Sequence, residues 1–151
     1  MPIRCEIVSQ DRLVFEGDAD TVILPGSEGE MGILPNHAPL LSTLAFGVIR
    51  VRLGNREEAF TVAGGFVEVQ PDMITVLADV AENVREIDIA RAEAAKKRAE
   101  EYLAEGPPPD TDNYLMMEAA LRRSRLRLDA VRRYHRQKSA LSPIIEKETS
   151  G

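Results

Sequence analysis

Several residues in this 151-residue sequence have types and spacings that could do chemistry. The run Pro25-Gly-Ser-Glu-Gly-Glu-Met-Gly-Ile-Leu-Pro-Asn-His-Ala-Pro-Leu-Leu41 carries Gly26, Gly29 and Gly32 with Pro35 and Pro39, a glycine density that could cradle a phosphate. His37, inside that run, could act as an acid, a base or a metal ligand. Arg123 and Arg127 stand four residues apart, so a helix would put both on one face. Two like charges at that spacing repel unless an anion or an acid sits between them.

Each has a simpler reading. The glycine run lacks Gly-Lys-Ser/Thr and its glycines do not open a helix, so a phosphate loop is disfavoured. Gly supplies positive φ and Pro fixes φ and extends its predecessor, so the segment reads as one rigid, irregular crossing. The other histidine, His135, lies far away on a basic stretch, and His37 reads as tying its own turn by hydrogen bonds. Cys5, the only cysteine, cannot form an internal disulfide and reads as a small core residue in a reducing compartment. No paired-carboxylate, Cys/His or Ser-His-Asp arrangement stands out, so no catalytic residue or metal ligand is assigned. Nothing here demands an enzyme.

The elements that position these residues fall into two kinds, an α+β class. From Ile3 to Val80 short strands alternate with turn signals at Asp18, Gly47, Gly54-Asn55, Gly64-Gly65 and Pro71-Asp72. Ile49, Val51 and Leu53 alternate with Arg50 and Arg52, the period-2 mark of a strand with one wet face. Met73–Ala78 is apolar on both faces and is expected in the buried middle. Antiparallel strands closing an all-β sandwich or barrel fit this spacing. At Ile87 the period changes. Asp88 suits an N-cap, and the alanine-rich run after it should be helical to about Glu105-Gly106, before Pro107-Pro108-Pro109. A second helix, capped by Asp110, Thr111 or Asp112, should run to about Ala140 and stop at Ser142-Pro143. Small-residue stripes, Ala90, Ala94, Ala95, Ala99 and Leu103 on one helix, Leu115, Ala119, Leu126 and Ala130 on the other, predict an antiparallel two-helix hairpin that docks weakly. The expected limits are 1–84 for the β domain, 85–141 for the hairpin and 142–151 for a flexible tail.

Charge is uneven along the chain. Net charge is −6, yet residues 113–139 hold eight Lys or Arg against two Asp or Glu. An acidic body with one basic helix suggests an acidic partner for that helix. It argues against nucleic acid, which the body would repel over long range. No apolar run approaches the roughly 20 residues that span a bilayer. The first residues lack a basic region followed by an apolar one, so no secretory signal is expected.

Three motifs in order, Pro25 to Leu41, Gly64-Gly-Phe-Val-Glu-Val69 and Thr75-Val-Leu-Ala-Asp79, resemble those of the epsilon subunit of bacterial F-type ATP synthases, over about residues 1–140. The resemblance implies a non-catalytic rotor subunit of the central stalk, peripheral to the membrane on the cytoplasmic face of the bacterial cell. Its β-sandwich would seat on the gamma subunit and the membrane c-ring. Its hairpin would extend along gamma among the alpha and beta subunits, so that Arg122, Arg125, Arg132, Arg133 and Arg136 meet acidic segments of the beta subunits and block ATP hydrolysis. No cofactor is required, but some family members bind ATP as a regulatory ligand through an Ile/Leu-Asp-x-x-Arg-Ala motif. Ile87-Asp-Ile-Ala-Arg-Ala92 matches it. On that basis Glu82, Asp88, Arg91, Arg98, Arg123 and Arg127 are the candidate nucleotide residues, against the alternative of a solvated charged face. Two rival classes remain: an ATP-sensing binding module and, further off, a basic-helix nucleic-acid binder.

Overall fold

A computed structural model of the chain describes residues 1–106 and 111–134. Its strands are β1 (Ile3–Val8), β2 (Leu13–Ala19), β3 (Thr21–Gly26), β4 (Gly29–Ile33), β5 (Leu40–Thr43), β6 (Gly47–Leu53), β7 (Arg56–Val62), β8 (Gly65–Val69), β9 (Met73–Ala78) and β10 (Ala81–Asn83). A 3-10 turn, Val84–Glu86, leads to the helices α1 (Ile89–Ala104) and α2 (Thr111–Tyr134). The strands form two five-stranded sheets, ordered β2-β1-β9-β8-β5 and β10-β7-β6-β3-β4. The two sheets enclose an aliphatic core, Ile3, Ile7, Val22, Ile49, Val51, Val67, Ile74 and Val76 among it, with Phe15 and Phe60 in tilted contact. Every member of that core lies between Ile3 and Ala81, so the sandwich holds its own hydrophobic driving force without the helices.

The α+β reading of the sequence is the architecture found, with instructive differences in detail. Pairing is antiparallel throughout except between β1 and β9, which run parallel. Strand β9 is central in its sheet, as its apolar run suggests, but only one of its faces is buried; Leu77 is 55% exposed on the other. The glycine run is not one crossing. Its first half closes the β3–β4 hairpin, where Gly26 pairs with Gly29, and only residues 34–39 cross to the other sheet. In that crossing Asn36 takes φ 67° and donates its N–H to the Pro71 carbonyl at 2.9 Å. His37 Nδ1 lies 2.7 Å from the Ala38 carbonyl oxygen, a histidine tied to its own turn.

Gly65 is a glycine that the sheet cannot replace. It sits at φ +121°, and a Cβ there would lie 2.3 Å from the Leu77 carbonyl oxygen, on the neighbouring strand.

Asp88 caps α1 by accepting from the Arg91 N–H at 3.0 Å, and the helix stops before Gly106, at φ +86°. The face of α1 that is buried centres on Ala92 and Ala99, whereas Ala90 and Ala94, expected in its stripe, are exposed. On α2 the buried residues are Ser124, Ala130 and Val131, while Leu115 is exposed. The fully buried residues of α2 thus lie in its later turns, while Tyr114, Met117 and Leu121 of its earlier turns are half-buried. Pro107–Pro109, Asp110, the reach of the second helix to Ala140, His135 and the tail 142–151 lie outside the described residues.

Candidate functional site

The two sheets present opposite kinds of outer surface. The outer face of the β6–β7 sheet is covered by α2. There Ala59 of β7, Val84 and Ile87 pack with Ala130 and Val131, flanked by Val48 and Tyr134. The outer face of the β1–β9 sheet is bare among the described residues. Thr43, Phe66, Leu77, Val8 and Leu13 are paired in register across all five of its strands. Phe66, Leu77 and Leu13 are each more than half exposed. Apart from Thr43 the row is apolar, and exposed apolar patches are the kind of surface that other chains cover.

The basic side of α2 is not free in this docked arrangement. Arg127 makes a two-pronged ion pair with Glu82 of β10, Nε to Oε1 at 2.8 Å and an Nη to Oε2 at 2.9 Å. The Arg122 guanidinium lies 4.2 Å from the centre of the Phe46 ring, a cation–π contact with the loop before β6. Arg125 approaches Glu100 of α1 at 3.9 Å, and Arg132 pairs with Asp129 in its own helix at 3.5 Å. Arg50 stacks 6.0 Å from the Tyr134 ring near the end of the described helix. Arg133 lines a cleft of about 350 Å³ between the β3–β4 hairpin and α2, with Gly26, Gly29 and Phe46. Gly32 is exposed on β4, while Pro35 and Pro39 frame the crossing. Arg136 lies outside the described residues.

Of the six candidate nucleotide residues, the fold gathers three. Glu82, Arg123 and Arg127 line one cavity of about 210 Å³ between the sandwich and α2. Asp88, Arg91 and Arg98 do not line it; all three are exposed on or beside α1, and the Asp88 carboxylate is committed to its cap. The repulsion inferred between Arg123 and Arg127 has a concrete answer, since Glu82 occupies Arg127. Arg123 makes no ion pair among the described residues.

Sequence reasoning missed a second polar anchor. Glu58 is 2% exposed and accepts from Arg85 at 2.7 Å and from Asn83 at 3.1 Å. Asn83 also caps the 3-10 turn by accepting from the Arg85 N–H. A buried carboxylate so satisfied fixes the root of the hairpin to β7. The signal was available: Glu58 has the same strand parity as Phe60 and Val62, so it points with the core residues. Phe46 had no comparable signal, because its contact depends on where the loop before β6 meets α2. Among the described residues no group of three or more His, Cys, Asp or Glu is placed to hold a metal ion. No described helix is long and apolar enough to cross a membrane.

Comparison with known proteins resolves which family builds this arrangement. Residues 2–84 match the model of the ATP synthase delta/epsilon chain β-sandwich domain, and residues 85–132 match that of the delta/epsilon chain long α-helix domain. The chain belongs to the ATP synthase delta/epsilon family. Among family members, the ATP synthase epsilon chain of Dehalococcoides mccartyi is 47% identical over 137 residues, 89% of this chain and 97% of its own length. The epsilon chain of Halalkalibacterium halodurans is 42% identical over 131 residues, covering 87% and 98%. A chain in the Euglena gracilis mitochondrial ATP synthase structure (OSCP/F1/c-ring, rotational state 1) superposes with a TM-score of 0.71 at 25% identity, over 86% of this chain and 81% of that one. Its relatives are epsilon chains, non-catalytic subunits of the ATP synthase complex.

Proposed function

We propose that this chain is a non-catalytic central-stalk subunit of an F-type ATP synthase that couples rotation through its sandwich and restrains ATP hydrolysis through its helices. The bare apolar row on the β1–β9 sheet is the seat for the gamma subunit, with the c-ring contacted beside it. The complex lies against the cytoplasmic face of the bacterial membrane, and this chain joins it peripherally. The observation that carries the braking role is the occupation of α2. In the docked hairpin Arg122, Arg125 and Arg127 are already engaged by Phe46, Glu100 and Glu82. Those same cations can meet acidic alpha- and beta-subunit surfaces only after the helices leave the sandwich. Docked means released; extended means braked.

ATP is the proposed regulator of that choice, bound in the docked state with Arg123 and Arg127 toward phosphate and with Asp88, Arg91 and Arg98 of α1 completing the contacts. A ligand that binds only the docked state at tenfold over its Kd stabilises it by about 1.4 kcal/mol. That is enough to shift a hairpin held by so small an apolar cluster. The rotor assignment is tested by capture with purified gamma subunit. Wild-type chain should be retained and Phe66→Asp should not, at unchanged unfolding midpoint. Retention of Phe66→Asp equal to wild type would refute the seat.

A further inference from the structure

The cleft between the β3–β4 hairpin and the end of α2, about 350 Å³, is a different space from the cavity around Arg123 and shares only Leu126 with it. Its walls are mostly apolar: Pro25, Phe46 and Val48 on the sandwich side, Leu126, Ala130 and Tyr134 on α2. The sandwich wall is also short of side chains, because Gly26, Gly29 and Gly47 line it. At Gly29 an added Cβ would meet nothing within 4 Å. Three charged side chains complete the lining. Glu30 pairs with Arg50 at 3.3 Å and Asp129 with Arg132 at 3.5 Å, whereas Arg133 makes no ion pair among the described residues. The docked hairpin thus keeps an apolar slot with one free cation beside it.

The chain itself carries a segment that fits. Tyr134 is both part of the wall and the last described residue of α2. Residues 135–151 lie outside the described residues and follow the stretch, ending at 132, that matches the family's helix domain. Their large apolar residues, Leu141, Ile144 and Ile145, fall within five positions, and Glu146 and Glu148 come after them. Three aliphatic side chains suit the slot, and a carboxylate suits Arg133. Six residues, 135–140, separate Leu141 from Tyr134. Extended, they span about 20 Å, long enough for the chain to turn back on the cleft. So short a tether holds the segment at a millimolar effective concentration, at which even a weak contact is populated. We propose that residues 141–148 fold back into this cleft, with Leu141, Ile144 and Ile145 against its apolar walls and Glu146 or Glu148 on Arg133, and so strap α2 to the β3–β4 hairpin. The strap takes the place of the free tail expected from the sequence. It bridges helix and sandwich, so it must leave before α2 can. It needs no other subunit and stands independently of the rotor assignment above.

A spin label on the full chain, read by amide NMR, tests this. Thr149→Cys places the label just past the segment, and the buried Cys5 does not compete for it. Amides of residues 26–30 and 45–48 should broaden strongly, while those of β1 and β9 keep their wild-type widths. Adding Ile144→Ser and Ile145→Ser should remove that broadening and speed hydrogen exchange over residues 121–134 about tenfold, at an unchanged urea midpoint for the sandwich. No broadening at residues 26–30, or broadening that survives the two serine substitutions, overturns the proposal. Broadening passed from a labelled chain to an isotope-labelled, spin-free one overturns it too, because the occupant would then be a second copy. Exchange in α2 that ignores the two substitutions shows that the segment holds nothing down and overturns the strap.

Discussion

Replacing Glu82 by Gln removes one charge from the contact that joins β10 to α2 and leaves the shape almost unchanged. The pair is two-pronged, at 2.8 and 2.9 Å, and both side chains are about three-quarters buried. Exposed ion pairs contribute about 0.2–1 kcal/mol, and breaking a fully buried pair costs about 3–5 kcal/mol. This one lies between, so the substitution should weaken docking by about 1.5 kcal/mol, roughly a tenfold shift toward the undocked hairpin. Hydrogen exchange of the intact chain reads that shift directly. Amides of α2 from Leu121 to Tyr134 should exchange about tenfold faster in Glu82→Gln, while those of β1 and β9 keep their wild-type rates. Arg127→Gln should do the same, and the double variant should be little worse than either, since one interaction is being removed twice. Unchanged α2 exchange, or equal acceleration in the core strands, would show that the pair does not hold the hairpin down.

Three further outcomes follow from named contacts. Gly65→Ala should lower stability by about 3 kcal/mol or more in urea unfolding, because it combines a left-handed φ with a clash against the Leu77 carbonyl. Asp88→Ala should cost about 1 kcal/mol of hairpin stability in the absence of ATP, through loss of the cap on α1; helix content by circular dichroism measures it. Burial pushes the Cys5 thiol from 9.0 up to about 12, so the folded chain keeps its proton where an unfolded one would lose it. The stabilisation is complete below about pH 9 and falls by up to about 1.4 kcal/mol per unit as pH rises toward 12. Native Cys5 should accordingly resist alkylation at pH 8 until denaturant is added.

What the sequence made legible was what depends on local periodicity. Ile49, Val51 and Leu53 against Arg50 and Arg52 declared a strand with one wet face, and β6 is that strand, antiparallel to β7. Asp88 and Gly106 marked the ends of α1 because caps are chemical requirements of the first and last turns. Contacts between elements were illegible for the opposite reason. The parallel β1–β9 pairing joins residues about 70 apart in sequence, and no local pattern encodes it. The alanine stripes could not say which alanines face inward, since alanine tolerates either side. The exposed face of β9 reads as core because Leu77 is apolar, although it is 55% exposed beside the exposed Phe66 of β8. In the candidate site, Arg123 and Arg127 were legible as a like-charged pair needing an acid. That Glu82 supplies it for Arg127 depended on the docking of α2.

The most direct test of the account compares the full chain with residues 1–84 in membranes carrying the reassembled ATP synthase, measuring synthesis and hydrolysis together. The sandwich contains its whole core, so the shortened chain should fold and assemble. Proton-driven synthesis should run near the wild-type rate and hydrolysis above it, because coupling resides in the sandwich and the brake in the helices. Hydrolysis unchanged by loss of the hairpin, with the shortened chain present in the complex, would contradict it.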